Sequence, residues 1–381
     1  MLSIVFFANK EKCTDFIRVF LASITPWEVL THYVLSITHC FRFMENRTLI
    51  ILNEEYKHAL HGIKFIDLFC GLGGFRLALE SYGAKCVFSS DIDRHVSKVY
   101  EKNFGTNPLS DITKVNENEI PRHDILCAGF PCQAFSISGK QRGFEDTRGT
   151  LFREVVRIAK FHQPKLLILE NVKNLERHDQ GNTFRVIKEN IENIGYNMYW
   201  KVLNASHYGV PQARERIYMI CIRKDLDNHT YIFPTSTKQE ICVHDILLTN
   251  GEEKKYIINK PYKIIEKDTQ MQLFKIYNKP VRVGTVNKGG QGDRIYDPLG
   301  QAITLSAEGG GTGAKTGLYY INNEVRKLHP RECARLMGFP ENYLLDDSVH
   351  QAQKQLGNSV VVNVLQYIIK SIIDKRSINN G

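Results

Sequence analysis

The sequence has no C-x-x-C pair, and its nine cysteines are an odd number, so neither a zinc ribbon nor a fully paired disulfide framework is expected. A reducing cytoplasm is the simplest compartment, and no metal ion is expected. Before Met44 there is no apolar run of about 18 residues that could span a bilayer, and no transmembrane helix is expected. The apolar, aromatic stretch before Met44 is interrupted by Arg18, Glu28, His32 and His39. Met1 to Ala8 lacks the positive leader of an export signal. Residues 1–43 therefore read as an extension, either a weak amphipathic helix or the product of an upstream start with Met44 the true initiator. The glycine loop at Gly71-Leu72-Gly73-Gly74 lacks the G-x-G-x-x-G spacing of a dinucleotide site.

What is present suffices for a large core: 381 residues, 43% of them hydrophobic, suggest one sizeable domain and a smaller second one. The net charge of +9 suggests a polyanionic partner. Between Ile246 and Pro330 thirteen Lys and Arg face eight Asp and Glu, so this segment holds +5 of the excess.

From Ile63 the chain alternates as an α/β protein with a doubly wound parallel sheet does. Strands are expected at Ile63–Leu68, Lys85–Ser89, Asp124–Gly129 and Lys165–Leu169, and helices at Gly74–Tyr82, Arg94–Phe104, Leu151–His162 and Thr183–Ile194. Tyr199–Asn204 and Arg216–Arg223 read as a closing antiparallel pair. After about Asp245 the regularity fails, and Gly289-Gly290, Gly292 and Gly309-Gly310-Gly311 mark either a loop-rich β domain or a flexible insert. Val360–Asp374 reads as an amphipathic helix returning to the first domain, which makes that domain discontinuous.

Three motifs sit at strand ends. Gly129-Phe130-Pro131-Cys132-Gln133 opens a loop in which Pro131 fixes its own φ and holds Phe130 extended, presenting the Cys132 thiol rigidly. A free cysteine is most often a buried hydrophobe, as expected of Cys127, so Cys132 alone is a weak signal. Phe69-Cys70-Gly71-Leu72-Gly73-Gly74 lies between a strand and a helix, where backbone can approach a cofactor that presents a carboxylate rather than a pyrophosphate. Asp91 closes the second strand, where an acid takes ribose hydroxyls or simply caps a helix. Glu170 ends a neighbouring strand as an acid or as a solvated carboxylate, and Gln212-Ala213-Arg214-Glu215-Arg216 turns two cations to one side.

Together Pro131-Cys132, Glu170-Asn171-Val172, Gln212-x-Arg214-x-Arg216 and Gly357-Asn358-Ser359-Val360 resemble the cytosine-5 DNA methyltransferases in motif order from Ile63 to Ile369. Lys327–Glu332 and Arg335–Pro340 fill the remaining block. The resemblance implies the S-adenosylmethionine-dependent, Rossmann-like methyltransferase fold, with a catalytic domain at 44–244 and 358–381, a target-recognition domain at 245–329 and a hinge at 330–357. It implies S-adenosyl-L-methionine as cofactor and attack by Cys132 on a cytosine flipped out of duplex DNA, aided by Glu170, Arg214 and Arg216. The cofactor set is Phe69, Gly71, Leu72, Gly73, Gly74, Asp91, Ile92, Asp111, Pro131, Asn358 and Val360; the DNA set is Ser136, Ser138, Gln291, Arg294, Thr304 and Glu308. Gln133–Lys140 and Lys288–Gly292 are similar to members that act on GCGC, implying that target or a nearby one. Three positions depart: Asp91 replaces a usual glutamate, Ile92 stands where a residue packs on adenine, and Glu308 stands where a near relative has tyrosine. A monomer working beside a separate restriction endonuclease is expected. The rival readings are an RNA cytosine-5 methyltransferase and a catalytically silent DNA-binding regulator.

Overall fold

Four apolar runs make the centre of the main sheet: β1 (Lys64–Leu68), β2 (Lys85–Ser90), β3 (Ile125–Gly129) and β4 (Leu166–Val172). They pair in parallel in the order β2-β1-β3-β4. The inner strands β1, β3 and β4 are buried at nearly every position, which is why they read as continuous apolar runs and not as alternation. The computed structural model describes residues 56–131, 151–237, 239–265 and 276–375, all within the unit Leu49–Gly381. The amino-terminal extension and the loop carrying Cys132, Ser136 and Ser138 lie outside the described residues.

β4 continues past the expected Leu169 because β7 (Glu215–Arg223) pairs antiparallel along it as far as Val172↔Arg216. β5 (Tyr196–Asn204) pairs antiparallel on β7, so the expected closing pair is present with β7 between β4 and β5. On one face Ile66, Leu68, Leu126, Leu167 and Leu169 pack against α3 (Phe152–His162) and α4 (Asn182–Asn193). Elsewhere α1 (Gly74–Glu80) contacts β2 and packs on α7 (Val362–Asp374), with the Tyr82 hydroxyl donating to Gln366 O at 2.9 Å. Helix α2 (Arg94–Phe104) starts where Asp93 accepts from the His95 and Val96 amides and stops at Gly105, φ 67°.

The basic region forms a five-stranded sheet, β13-β12-β10-β9-β8, from β8 (Tyr262–Ile264), β9 (Arg282–Val286), β10 (Arg294–Tyr296), β12 (Leu318–Ile321) and β13 (Glu324–Arg326). Its own small core is Val283, Val286, Ile295, Leu318 and Val325. The glycine clusters are not a loose insert. Gly292 packs directly on the backbone of Gly310 and Gly311, and Asp293 accepts from the Thr312 amide at 2.9 Å. Two parallel short strands, β6 (Gln212–Ala213) and β11 (Ala302–Ile303), join this region to the entrance of β7.

Helix α5 (Pro330–Leu336) begins at His329, whose amide donates to Glu332 at 2.7 Å. Glu332 also accepts two guanidinium bonds from Arg326 at 2.8 Å and the Leu248 amide at 2.8 Å, a buried pair tying α5 to β13. The stretch Val349–Asp374 is apolar and long enough to cross a membrane, yet 67% of its most apolar window is buried, and Ser359-Val360-Val361 divides it into α6 (Val349–Asn358) and α7. It is a core element.

Candidate active site

The loop after β1 turns by left-handed backbone at Phe69 (φ 56°), Gly71 (φ 53°) and Gly73 (φ 73°). Only glycine takes such angles freely, so two of these three positions require it. The Cys70 amide donates to Ser90 O at 3.0 Å, the Gly71 amide to Asp91 Oδ2 at 2.9 Å and the Gly73 amide to Cys70 O at 2.8 Å. A Cβ on Gly71 would project into open space, whereas one on Gly74 would lie 2.5 Å from Val360 Cγ2. Glycine is thus needed at 74 to seat the segment before α7.

Asp91 does not cap α2; Asp93 does. Asp91 instead accepts from Gly71 and, at 2.9 Å, from the Asp93 amide, and burial raises its pKa against the pull of those amides. Beside it Ile92 is 72% exposed and Leu109, its neighbour across the Asp91↔Leu109 bridge, 45% exposed. Two large apolar side chains are thus exposed beside the Asp91 backbone. Asp111 accepts from the Thr113 hydroxyl at 2.6 Å and its amide at 3.1 Å, which hold its carboxyl below the usual range.

On β3, Gly129 lies in register with Glu170 of β4. Phe130 is buried against Phe152, and Asn171 Nδ2 donates to Phe130 O at 2.8 Å, so the Pro131-Cys132 loop leaves a fixed point beside Glu170. Pro131 is exposed. Glu170 is 8% exposed, with Oε1 3.3 Å from Arg216 Nε. Burial raises its pKa, and Arg216 and then Arg214 oppose the rise. The result is a buried carboxyl whose desolvation favours its acid form while the neighbouring cations oppose it.

Arg214 is a brace: its guanidinium donates to Leu305 O at 3.1 Å, Gly357 O at 3.0 Å and Ser359 O at 2.8 Å. Burial, with the like charge of Arg216, lowers its pKa to about 9. Gln212 works likewise, donating to Leu336 O at 2.9 Å and accepting from the Leu305 amide at 3.0 Å. The paired arginines therefore divide, Arg214 facing the second region and Arg216 facing Glu170.

Of the residues expected on DNA, Gln291, Arg294 and Glu308 are exposed. Thr304 is half-buried, and its hydroxyl donates to Ala213 O at 2.7 Å. The Glu308 carboxylate attracts the ammonium of Lys315, which lies 2.9 Å from His350 Nε2. Asn358 is exposed at the end of α6. Sequence reasoning missed Tyr343, whose hydroxyl donates to Leu72 O at 2.6 Å from 271 residues away. No motif spacing carries that contact.

A family model for C-5 cytosine-specific DNA methylase matches residues 63–374. The Type II methyltransferase M.HhaI of Haemophilus parahaemolyticus is 55% identical over 313 residues, 82% of this chain and 95% of that protein. M.HpaII of Haemophilus parainfluenzae is 40% identical over 334 residues, 82% of this chain and 89% of that one. The crystal structure of the S. pombe Dnmt2 methyltransferase matches with a TM-score of 0.61 at 18% identity, over 82% of this chain and 99% of that chain, a likeness of fold.

Proposed function

Because the chain belongs to the C-5 cytosine-specific DNA methylases, with S-adenosyl-L-methionine as methyl donor, we propose that it methylates the inner cytosine of GCGC as the modification enzyme of a restriction-modification pair. It would act as a cytoplasmic monomer beside a separate endonuclease. The five-stranded sheet falls wholly within 245–329, which supports assigning that segment to target recognition, 44–244 with 358–381 to catalysis and 330–357 to the hinge.

The observation that carries the reading is the junction of Gly129, Glu170 and Arg216 at the root of the Pro131-Cys132 loop. Cytosine carbon five is a poor nucleophile. The Cys132 thiolate adds to carbon six while Glu170, whose pKa burial raises, holds ring nitrogen three and draws the ring electrons toward an enamine. Arg216 takes the cytosine carbonyl, and Arg214 keeps the loop in place. Bound S-adenosylmethionine supplies an electrophilic methyl group. A base then removes the carbon-five proton, and elimination breaks the bond to sulfur and returns the thiolate. The cytosine must leave the base stack for this, at about a few kcal/mol. Gln291 would fill the gap.

The residues present fit the cofactor. The loop Phe69–Gly74 offers open space at Gly71, Asp91 offers a carboxylate to ribose hydroxyls, and Ile92 with Leu109 offers apolar cover to a purine. Asp111, Pro131, Asn358 and Val360 complete the set.

Bisulfite sequencing of plasmid DNA from cells expressing the chain should show 5-methylcytosine at GCGC, and none with Cys132→Ala. Methylation in another context would overturn the target. Turnover above background by purified Cys132→Ala would overturn the mechanism, while its DNA affinity should stay near wild type because phosphate contacts supply much of it.

A further inference from the structure

The peptide between Leu72 and Gly73 is held at both of its polar ends. Its N–H donates to Cys70 O at 2.8 Å, and its carbonyl accepts from the Tyr343 hydroxyl at 2.6 Å. Leu72 is 1% exposed, so without the hydroxyl this carbonyl would be cut off from water. Among the described residues no other side chain reaches it. Gly71 and Gly73 on either side have left-handed φ and can take the mirror-image conformation at little local cost, so within the loop this peptide plane is held only from its N–H end, by Cys70 O, and Tyr343 supplies the hold on its carbonyl.

Tyr343 itself is fixed. Its ring is 3% exposed, packed 4.8 Å from Phe339 and 6.1 Å from Phe104, centroid to centroid. Arg331 of α5 donates to Tyr343 O at 2.7 Å. Asn103 of α2 clamps the next residue in both directions, accepting from the Leu344 amide at 2.8 Å and donating to Leu344 O at 2.9 Å. Burial pushes the phenol's pKa up, so it remains a donor at any working pH.

We propose that Tyr343 is a positioning residue for the cofactor, fixing the Leu72–Gly73 peptide in the orientation the methyl donor meets. The proposal rests on the reading above that Phe69–Gly74 is the cofactor loop. Tyr343 touches no reacting atom, so its loss changes how well the cofactor binds and not the chemistry once it is bound.

The test uses the purified full chain. In Tyr343→Phe, which keeps the packed ring, the Kd for S-adenosylhomocysteine by calorimetry and the KM for S-adenosylmethionine should each rise about tenfold, the scale of one lost hydrogen bond to a buried carbonyl. The kcat at saturating cofactor should stay within about twofold. Asn103→Ala, which frees the segment without touching the loop, should give the same split with a smaller amplitude. Unchanged Kd and KM in Tyr343→Phe, or a fall in kcat at constant KM, overturns the proposal. Asp91→Ala separates it from its premise. If that variant binds S-adenosylhomocysteine like wild type, the cofactor-loop reading falls; if it binds weakly while Tyr343→Phe does not, only the role of Tyr343 falls.

Discussion

Glu170 and Asp67 are both buried carboxyls, and their surroundings give them different work. Glu170 has Arg216 beside it and faces the site. Asp67 is fully buried on β1, and burial raises its pKa well above the ordinary 3.8, offset only in part by the charge and the backbone amide of Arg76. An acid with a raised folded pKa keeps a proton that the unfolded chain releases. Stability is then full below the unfolded pKa and is lost as pH rises toward the folded value. Relative to Asp67→Asn, which has no such titration, the wild type should lose about 1.4 kcal/mol per pH unit above pH 4 until the folded value is reached. Denaturant melts of both proteins at pH 4, 5.5 and 7 check this; parallel stability curves would show that Asp67 is ionised in the fold.

At the scale of elements, the end of α6 lies against the loop after β11, with Gly357 packed on the Ser306-Ala307 backbone so closely that a Cβ would collide with it. Gly357→Ala should therefore destabilise the protein by about 1–3 kcal/mol and lower activity, because Gly357 O and Leu305 O are both acceptors of Arg214. Gly310, which has open space around its Cβ position, is the control: Gly310→Ala should melt like wild type. An unshifted Tm for Gly357→Ala would mean that the two loops separate freely. The parallel strands were legible because burial on both faces leaves an unbroken apolar run, and α2 because Asp93 and Gly105 mark its ends. The far end of β4 was not, since its pairing with β7 is a tertiary event. Nor was α6, whose buried face includes Gln353 and Gln355, bonded to Leu328 O and to Asp346, and so lacks an apolar period. In the site, motif order was enough to bring Glu170, Arg214 and Arg216 together, but not to tell which arginine braces and which faces the carboxylate. That division depends on where β6 ends and β7 begins.

Across the whole molecule the excess of +9 favours a polyanion, and the exposed carboxylate of Glu308 is expected to work against it if it faces phosphate. Glu308→Tyr should strengthen DNA binding, more at low salt than at high, and leave the methylated sequence unchanged. Affinity at two salt concentrations with bisulfite mapping of the same variant decides it: an altered sequence context would mean that Glu308 reads a base. One long-range contact carries a different consequence. The Tyr82 hydroxyl finds its acceptor, Gln366 O, 284 residues later in the chain. A ribosome adding about 5–20 residues per second needs roughly 15–60 s to make that stretch, so the first βα units wait for their covering helix through most of translation. Tyr343 arrives almost as late. The nascent chain therefore leaves the face of α1 that packs on α7 uncovered for much of its synthesis, and the protein is most open to chaperones and proteases before α7 emerges.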